Sequence, residues 1–253
     1  MSSPLTVAVS GAKGRMGREV VSAVGAEANL KLVAQIDFGE SLADALARTR
    51  PVALVDFSVP EAVMSNLETA LSQGVVPIVG TTGLSPTDIT HVRALCRTHK
   101  LGALIAPNFA IGAILMMRFA QEAAKYFPDA EIIEMHHEKK LDAPSGTAAK
   151  TAEMIAEGRA GASPTALPDD AFEKIPGSRG GKGVGDVPIH SVRLPGFVAS
   201  QMVIFGGAGQ TLTLRHDSID RKSFMPGVIL AVRHAPLLAA NGGELVYGLE
   251  HLL

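Results

Sequence analysis

The feature that most constrains the fold is a strand, a glycine-rich turn and a helix that follow one another at the N-terminus. Leu5–Val9 is a short, β-rich apolar run, and the turn Gly11–Gly17 follows it directly. A helical pattern continues to Ala26, and a second apolar run, Leu30–Ile36, ends at Asp37. A strand, helix and strand in this order predict a βαβ unit with a parallel sheet.

The glycines of this turn are typical of a dinucleotide-binding loop. Gly11, Gly14 and Gly17 allow a tight turn, close approach of the backbone to a pyrophosphate, and close packing of helix on strand. Asp37 lies twenty residues after Gly17, near the spacing of a carboxylate that binds the adenosine ribose. Ala12 occupies the first glycine position of the strict motif, so an ordinary turn before a helix is the alternative.

Charged residues in the loop bear on the choice of cofactor. Lys13 and Arg15 could contact the pyrophosphate or a 2′-phosphate, whereas Asp37 favours a free 2′-hydroxyl. We therefore predict that both NADH and NADPH are used, with solvated side chains as the alternative for either base. The predicted cofactor contacts in this region are Gly11, Ala12, Lys13, Gly14, Arg15, Met16 and Asp37.

The alternation of strands and helices continues to about residue 110. Ligands bind parallel sheets of this kind at the carboxyl ends of the strands. Two turns follow predicted strands there, and we assign both to the cofactor rather than to plain loops: Gly80, Thr81 and Thr82, and Ala106, Pro107, Asn108 and Phe109. Ser58 and Glu61 have the spacing of a capping box, which predicts a helix start at that point.

The character of the chain changes after Ile111. A long helical pattern leads into a strand at Glu131–Met135, and the segment 159–187 is rich in Gly, Pro, Ser and Ala, as in a mobile loop. Two or three strands then follow without intervening helices, which predicts antiparallel pairing: Ile189–Leu194, Ala199–Phe205 and Thr211–Arg215. We predict a first domain from residues 1–110 and 220–253, and a second from residues 111–219.

Proton donors and a helix start are concentrated between Glu134 and Thr147. His136, His137 and Lys140 can donate protons near neutral pH, the histidines by titration and the lysine as a cation. Ser145–Thr147 opens a helical run whose backbone N–H groups would suit a carboxylate. This combination predicts an active site for a small acidic substrate; a charged surface loop before a helix capped by Ser145 is the alternative.

Composition excludes several classes of partner and site. The 253 residues carry a formal net charge of −2, so we expect neither nucleic acid nor an anionic membrane as a partner. Cys96 is the only cysteine, which excludes an internal disulfide and fits a reducing compartment. No metal site is predicted. The N-terminus leads directly into the first strand, so we expect no signal peptide and a cytoplasmic protein.

Four motifs together resemble the 4-hydroxy-tetrahydrodipicolinate reductase (dihydrodipicolinate reductase) family. They are Gly11–Gly17, Gly80–Gly83, Ala106–Phe109 and the His-His, Lys and Ser-Gly-Thr pattern within 134–147. His190–Arg193 and Arg215–Phe224 extend the likeness over essentially the whole chain. The acid Asp37 is followed by Phe38, where some members of the family carry arginine.

The resemblance implies an α/β protein: a Rossmann-like dinucleotide-binding domain and an α+β substrate-binding and tetramerisation domain with a mixed or antiparallel sheet. It implies reduction of a small dicarboxylate by NADH or NADPH in lysine and diaminopimelate synthesis, by a homotetramer. By motif position, His136 corresponds to a proton donor and acceptor and Lys140 to a second donor. His137 and the Ser145, Gly146 and Thr147 segment correspond to carboxylate binders.

Two alternatives remain open at this point. One is another nicotinamide oxidoreductase of the aspartate or homoserine dehydrogenase type, which would pair similar domains. The other is a non-catalytic dinucleotide-binding sensor, which would need the glycine loop but not His136 and Lys140. The roles of His190, Arg193, His216 and Arg221, in sheet stability, subunit contacts or catalysis, are also open.

Overall fold

The computed structural model describes residues 3–166, 168 and 170–253. The strands are β1 (Leu5–Ser10), β2 (Leu30–Ile36), β3 (Ala53–Asp56), β4 (Val76–Val79), β5 (Ala103–Ile105), β6 (Asp129–His136), β7 (Gly181–Lys182), β8 (Pro188–Arg193), β9 (Ala199–Gly207), β10 (Gln210–Ser218) and β11 (Leu245–Tyr247). The α-helices are α1 (Arg15–Ala26), α2 (Leu42–Thr49), α3 (Pro60–Ser72), α4 (Pro86–His99), α5 (Ile111–Ala123), α6 (Gly146–Gly158) and α7 (Met225–Ala240).

The chain forms two compact units, Met1–Ile111 with Phe224–Leu253, and Gly112–Ser223. The first unit contains a six-stranded sheet in the order β11-β5-β4-β3-β1-β2, and each recorded pairing in it is parallel. Every residue of β3 and β4 is buried, as expected for central strands with helices on both faces. The predicted Rossmann-like α/β architecture is confirmed.

A side-chain cap marks the start of two helices in this unit, α2 and α4. Ser85 accepts a hydrogen bond from the Asp88 backbone and Asp88 bonds back, which forms a capping box with Pro86 at the first helical position. The capping box predicted at Ser58 and Glu61 is wrong, because Val59 is the N-cap of α3 and no side chain caps it. Ser58 instead bonds to the Asp56 carboxylate, which removes it from the helix terminus.

Helix α7 returns the chain to the first unit, where it contacts β3, β4, β5 and α1. The helical stretch Arg221–Ala240 is long and apolar enough to cross a membrane by length and composition. However, Val228, Ala231, Val232 and Ala235 of α7 are fully buried within the protein. This pattern is that of a core helix.

The second unit contains a mixed sheet in the order β10-β9-β6-β8-β7. Strands β9 and β10 pair antiparallel, as predicted for strands without an intervening helix. The extension of that prediction to β8 is wrong: β8 pairs parallel with β6 and does not neighbour β9. Strand β6 therefore lies between β8 and β9, which the order of strands along the chain does not reveal.

Helices α5 and α6 supply much of the apolar cover of this sheet. Ile132, Val203 and Phe205 of the sheet form a buried cluster with Ala120 of α5 and Ile155 of α6. Part of the predicted mobile loop 159–187 is regular, since it contains β7 and a short 3₁₀ turn at Val184–Asp186. The sheet and α6 together hold the end of β6, where the motif of residues 134–147 begins.

Gly17 and Gly25 of α1 provide a matched test of the close packing in the N-terminal turn. A Cβ at Gly17 would lie 2.0 Å from the Gly11 carbonyl oxygen, whereas a Cβ at Gly25 would meet nothing within 4 Å. We predict that Gly17→Ala lowers the free energy of unfolding by about 1–3 kcal/mol through overpacking. Gly25→Ala should leave it unchanged or slightly higher, because alanine favours the helix. Equal effects in denaturant titrations would contradict the prediction.

Candidate cofactor and substrate sites

The glycine loop of the first unit has the shape of a phosphate cradle. Gly11 has a φ of 72°, and a Cβ there would lie 2.4 Å from the Phe57 carbonyl oxygen. Gly14 is the N-cap of α1 and provides no capping side chain, so that helix start is open to an anionic ligand. The residues present therefore fit a dinucleotide pyrophosphate. Ala12 is buried and would contribute through its backbone, while Lys13 and Arg15 are exposed.

Asp37 is held at the end of β2 by the glycine loop. Its carboxylate accepts hydrogen bonds from the backbone N–H of Lys13 at 2.6 Å and of Phe38 at 2.8 Å. These bonds lower the pKa of Asp37, Lys13 contributing most, so the group is ionised at neutral pH. The Lys13 ammonium lies 3.6 Å from Glu40, in an exposed ion pair. Two carboxylates and one paired lysine thus flank the predicted ribose position.

Asp56, a residue to which the sequence analysis assigned no role, organises the neighbouring strand ends. It is 1% exposed, and one oxygen accepts bonds from the Ser58 backbone, the Ser58 hydroxyl and the Thr81 hydroxyl. The other oxygen accepts a bond from the Asn66 amide at 2.7 Å. Asp56 therefore connects the turn after β3 to the predicted cofactor turn after β4. An acid that ends a buried apolar strand and precedes a serine was the available sequence signal.

The other predicted cofactor turns lie at the carboxyl ends of β4 and β5. A Cβ at Gly80 would lie 2.2 Å from the Phe57 ring, and that ring packs against Phe109 with centroids 5.7 Å apart. Ala106 and Phe109 are buried, so their predicted contacts would be made by the backbone. Asn108 accepts a hydrogen bond from the Ala110 N–H, while Thr82 and Pro107 are exposed.

In the second unit, a buried carboxylate holds the predicted proton donor His136. Glu134 and His136 are two residues apart on β6 and so share a face of the sheet. His136 Nδ1 lies 2.5 Å from Glu134 Oε2. Arg193, the register partner of His136 on β8, donates to both Glu134 oxygens at 2.9 and 2.7 Å.

The pKa values in this cluster are shifted in defined directions. Burial raises the pKa of Glu134, but hydrogen bonds from Arg193, Ser191 and His136 outweigh it and the net shift is downward. Burial lowers the pKa of His136, and the cations Lys140 and Arg193 lower it further, against the opposing effect of Glu134. Glu134 is therefore ionised at neutral pH and the His136 imidazole is neutral in the unliganded protein.

Lys140, the second predicted donor, lies in the loop that follows β6. Its ammonium donates to both oxygens of Asp142, at 2.7 and 2.9 Å, and this bond lowers the pKa of Asp142. His137 is partly exposed, and its Nδ1 accepts from the Lys139 N–H at 3.2 Å. Leu141 is almost fully exposed between the two charged partners. An incoming carboxylate could replace Asp142 as the partner of Lys140.

The predicted anion cradle is the first turn of α6. Ser145 is buried, and its hydroxyl caps the helix by accepting from the Ala148 N–H. Gly146 is exposed, and a Cβ there would meet nothing within 4 Å. The capping role occupies the Ser145 hydroxyl, so carboxylate binding as predicted would depend on the backbone at Gly146 and Thr147.

The residues whose roles were open lie in different surroundings. His190 Nε2 lies 2.9 Å from Glu131 Oε2, within hydrogen-bond distance, which suits a role in the sheet. The His216 ring contacts Gly112 so closely that a Cβ on Gly112 would lie 2.5 Å from it. Arg221 opens a short 3₁₀ helix. Arg193 alone among these four bonds to the carboxylate that holds a predicted catalytic side chain.

Comparison with known proteins gives consistent results. A family model described as dihydrodipicolinate reductase, N-terminus, matches residues 5–109, and one described as dihydrodipicolinate reductase, C-terminus, matches residues 112–253. The chain is 52% identical to 4-hydroxy-tetrahydrodipicolinate reductase of Desulfitobacterium hafniense (strain DSM 10664 / DCB-2), with 98% of each chain covered. It is 52% identical to the protein of the same name from Listeria monocytogenes serotype 4b (strain F2365), covering 98% and 100%.

Solved structures agree with the fold. The structure of dipicolinate-bound dihydrodipicolinate reductase from Paenisporosarcina sp. TG-14 has a TM-score of 0.85 and 41% identity, covering 99% of this chain and 100% of that one. A probable dehydrogenase from Thermotoga maritima has a TM-score of 0.64 at 10% identity, over 98% and 92% of the two chains. That second likeness concerns the fold alone.

We predict that Asp56→Asn loosens the cofactor turns of the first unit. An amide keeps one acceptor oxygen, so either the Ser58 and Thr81 donors or the Asn66 donor must lose its partner. The free energy of unfolding should fall by about 1–3 kcal/mol, as for a buried donor left unsatisfied. NADH binding, measured by fluorescence titration, should weaken. Asp44→Asn, at the exposed start of α2, should cost less than about 1 kcal/mol; matching losses would refute the assignment.

Proposed function

Since this chain belongs to the dihydrodipicolinate reductase family, we propose that it reduces 4-hydroxy-tetrahydrodipicolinate, by way of dihydrodipicolinate, to tetrahydrodipicolinate. Hydride comes from NADH or NADPH, and the reaction serves lysine and diaminopimelate synthesis. The observation that carries the proposal is the cluster of His136, Lys140 and the α6 start in a chain whose relatives bear this enzyme's name over nearly their full length. These relatives favour it over the other dehydrogenase and the sensor.

Binding of a dicarboxylate is assigned to the second unit. Lys140 supplies a cation and His137 a partly exposed imidazole, while Gly146 and Thr147 supply the first turn of a 13-residue helix. A helix start and a cation are both favourable partners for a carboxylate. The dipicolinate bound to the Paenisporosarcina reductase is a planar dicarboxylate, which supports this substrate class.

Proton transfer is assigned to His136 and Lys140. Addition of hydride to a conjugated imine leaves negative charge, and a donor placed nearby stabilises it. The pKa of His136 lies below its usual range in the unliganded protein, so the charged donor at rest is Lys140. A bound dicarboxylate brings two negative charges, which raise the pKa of His136 and allow it to take up and deliver a proton.

The cofactor is assigned to the glycine loop of the first unit. The bound nicotinamide supplies the hydride, and the chain's own residues hold the pyrophosphate at the α1 start and the ribose at Asp37. The ionised Asp37 and the pairing of Lys13 with Glu40 disfavour a 2′-phosphate. We therefore assign use of both cofactors, with tighter binding of NADH.

A homotetrameric, cytoplasmic enzyme is also part of the proposal. The second unit has a sheet whose outer face carries Ile133, Met202 and Ile204, each only partly buried, while the alternate residues Ile132 and Val203 are fully buried. An apolar sheet face that remains accessible in the isolated chain supports association with further copies. The single, buried Cys96 is consistent with a reducing compartment.

The test of the function is nicotinamide oxidation with substrate made in place. Pyruvate and aspartate semialdehyde are condensed by the preceding synthase, and this protein is added with NADH. We expect oxidation that requires both the synthase product and the protein. Lys140→Ala should lower kcat by about 10²–10⁴-fold, the usual contribution of a proton donor. Lys139→Ala, one residue away and exposed, should stay within about twofold. No oxidation despite NADH binding would overturn the proposed function.

Cofactor choice is tested at Asp37. We predict that Asp37→Ala weakens NADH binding more than NADPH binding, because the lost carboxylate accepts from the ribose hydroxyls of NADH and repels the phosphate of NADPH. Glu40→Ala should leave NADH binding nearly unchanged and strengthen NADPH binding, since it frees Lys13. Both dissociation constants are measured by fluorescence titration. Equal losses for the two cofactors in Asp37→Ala would remove the ribose assignment.

A further inference from the structure

Glu134 is a charged residue at a core position of the second unit. It is 0% exposed, and it lies on the same face of β6 as the core residue Ile132. Burial of a carboxylate is costly unless the group is paired and hydrogen-bonded. The surroundings of Glu134 meet that condition with donors from several parts of the fold.

The donors to Glu134 come from two neighbouring strands and from the residue before α6. His136 is on β6 itself, and Arg193 is on β8 with its two bonds to the carboxylate. The backbone N–H of Ser145, immediately before α6, donates at 3.3 Å. Arg193 also donates to the Asp142 carbonyl at 2.7 Å, in the loop that carries Lys140. One carboxylate therefore links the strand, the loop and the helix start.

The bond to Glu134 determines the state of the His136 ring. An ionised carboxylate only accepts hydrogen bonds, so Nδ1 must carry the proton. In the neutral ring, Nε2 is then the free lone pair, available to receive a proton and pass it on. The bidentate Arg193 guanidinium keeps Glu134 ionised and limits how strongly its charge acts on His136.

We propose that Glu134 is a positioning residue for the reduction: through His136 it fixes the reactive tautomer, and through Arg193 and Ser145 it holds the Lys140 loop and the α6 start in place. The role rests on the proposed function, because it assumes that His136 exchanges a proton with the substrate. It also gives Arg193 a place in the same network.

A second pair on the same strand provides a matched control. Glu131 and His190 are hydrogen-bonded at 2.9 Å, but Glu131 lies on the other face of β6 and its side chain is 41% exposed. Glu131→Gln removes a carboxylate–imidazole pair from the same sheet without affecting His136. A merely structural effect of losing such a pair should therefore appear in both variants.

The first measurement is ¹⁵N NMR of the histidine rings in the unliganded wild-type protein. We expect Nδ1 of neutral His136 to be protonated and hydrogen-bonded, and Nε2 to be bare. In Glu134→Gln, the neutral ring should become a mixture of tautomers. The pKa of His136 should fall further, because Glu134 is the group that raises it, whereas burial, Lys140 and Arg193 lower it. Asp142 does not replace Glu134, since its carboxylate is bonded to Lys140. Glu131→Gln should change neither property.

Kinetics then separate positioning from folding. Glu134→Gln should lower kcat/KM about 10- to 100-fold, a part of the full proton-transfer contribution, and shift its pH profile to lower pH. Glu131→Gln should retain the wild-type profile. Wild-type His136 with bare Nδ1, or a folded Glu134→Gln with unchanged tautomer and profile, would overturn the proposal. If Glu134→Gln does not fold, the wild-type spectrum decides.

The proposal and the proposed function can fail separately. The ring state of His136 is read without substrate, so it holds or fails whether or not the protein oxidises NADH. An inactive wild-type enzyme with the expected tautomer would contradict the function alone. An active enzyme with the other tautomer would contradict the positioning role alone.

Discussion

The ion pair between the buried Glu134 and the partly buried Arg193 is the interaction on which the proposed substrate site depends. Glu134 cannot be left unpaired, because an unpaired charge in the core costs several kcal/mol. The pair forms only if β6 and β8 lie parallel in the register that places Arg193 opposite His136. The same carboxylate receives the Ser145 N–H, so the start of α6 is fixed by the register of the sheet. The pairing of β6 with β8, the path of the loop after β6 and the placement of His136 therefore depend on the same carboxylate.

The first unit also contains a buried carboxylate, Asp56, but its hydrogen-bond donors are of a different kind. Asp56 is buried, and among the described residues its donors are the neutral groups of Ser58, Asn66 and Thr81. Neutral donors suffice because four hydrogen bonds converge on its two oxygens. This difference between the donors of Glu134 and those of Asp56 matches the different ligands proposed for the two units. In the proposed substrate site a guanidinium acts on a titrating imidazole. The proposed cofactor turns instead need shape and backbone donors, which a neutral network and close-packed glycines provide.

Much of the fold and of the site could be predicted from local sequence. The glycine turn, the strands up to residue 105 and the motif of residues 134–147 carry short-range signals of period, capping and spacing. Short or weakly periodic elements escaped prediction, such as the eight-residue α2 and the three-residue β11. The Ser58 signal failed for a physical reason: its hydroxyl had a better acceptor in Asp56 than the open N–H groups of α3. Local patterns cannot weigh such tertiary competitors.

The hydrogen-bond network around Glu134 was beyond prediction because its partners are distant in sequence. Glu134 and Arg193 are 59 residues apart, and the strand β8 that joins them lies beside β6 only through a parallel crossover over α6 and the long loop. A partial signal was nonetheless present, since Glu134 interrupts the apolar alternation of a buried strand. A charge at such a position requires an opposite charge or several donors elsewhere in the fold. A charged residue at a core-facing strand position, next to a titrating side chain, therefore indicates a residue that positions a candidate catalytic group. This signal can be read in the sequence before the partners of the charged residue are known.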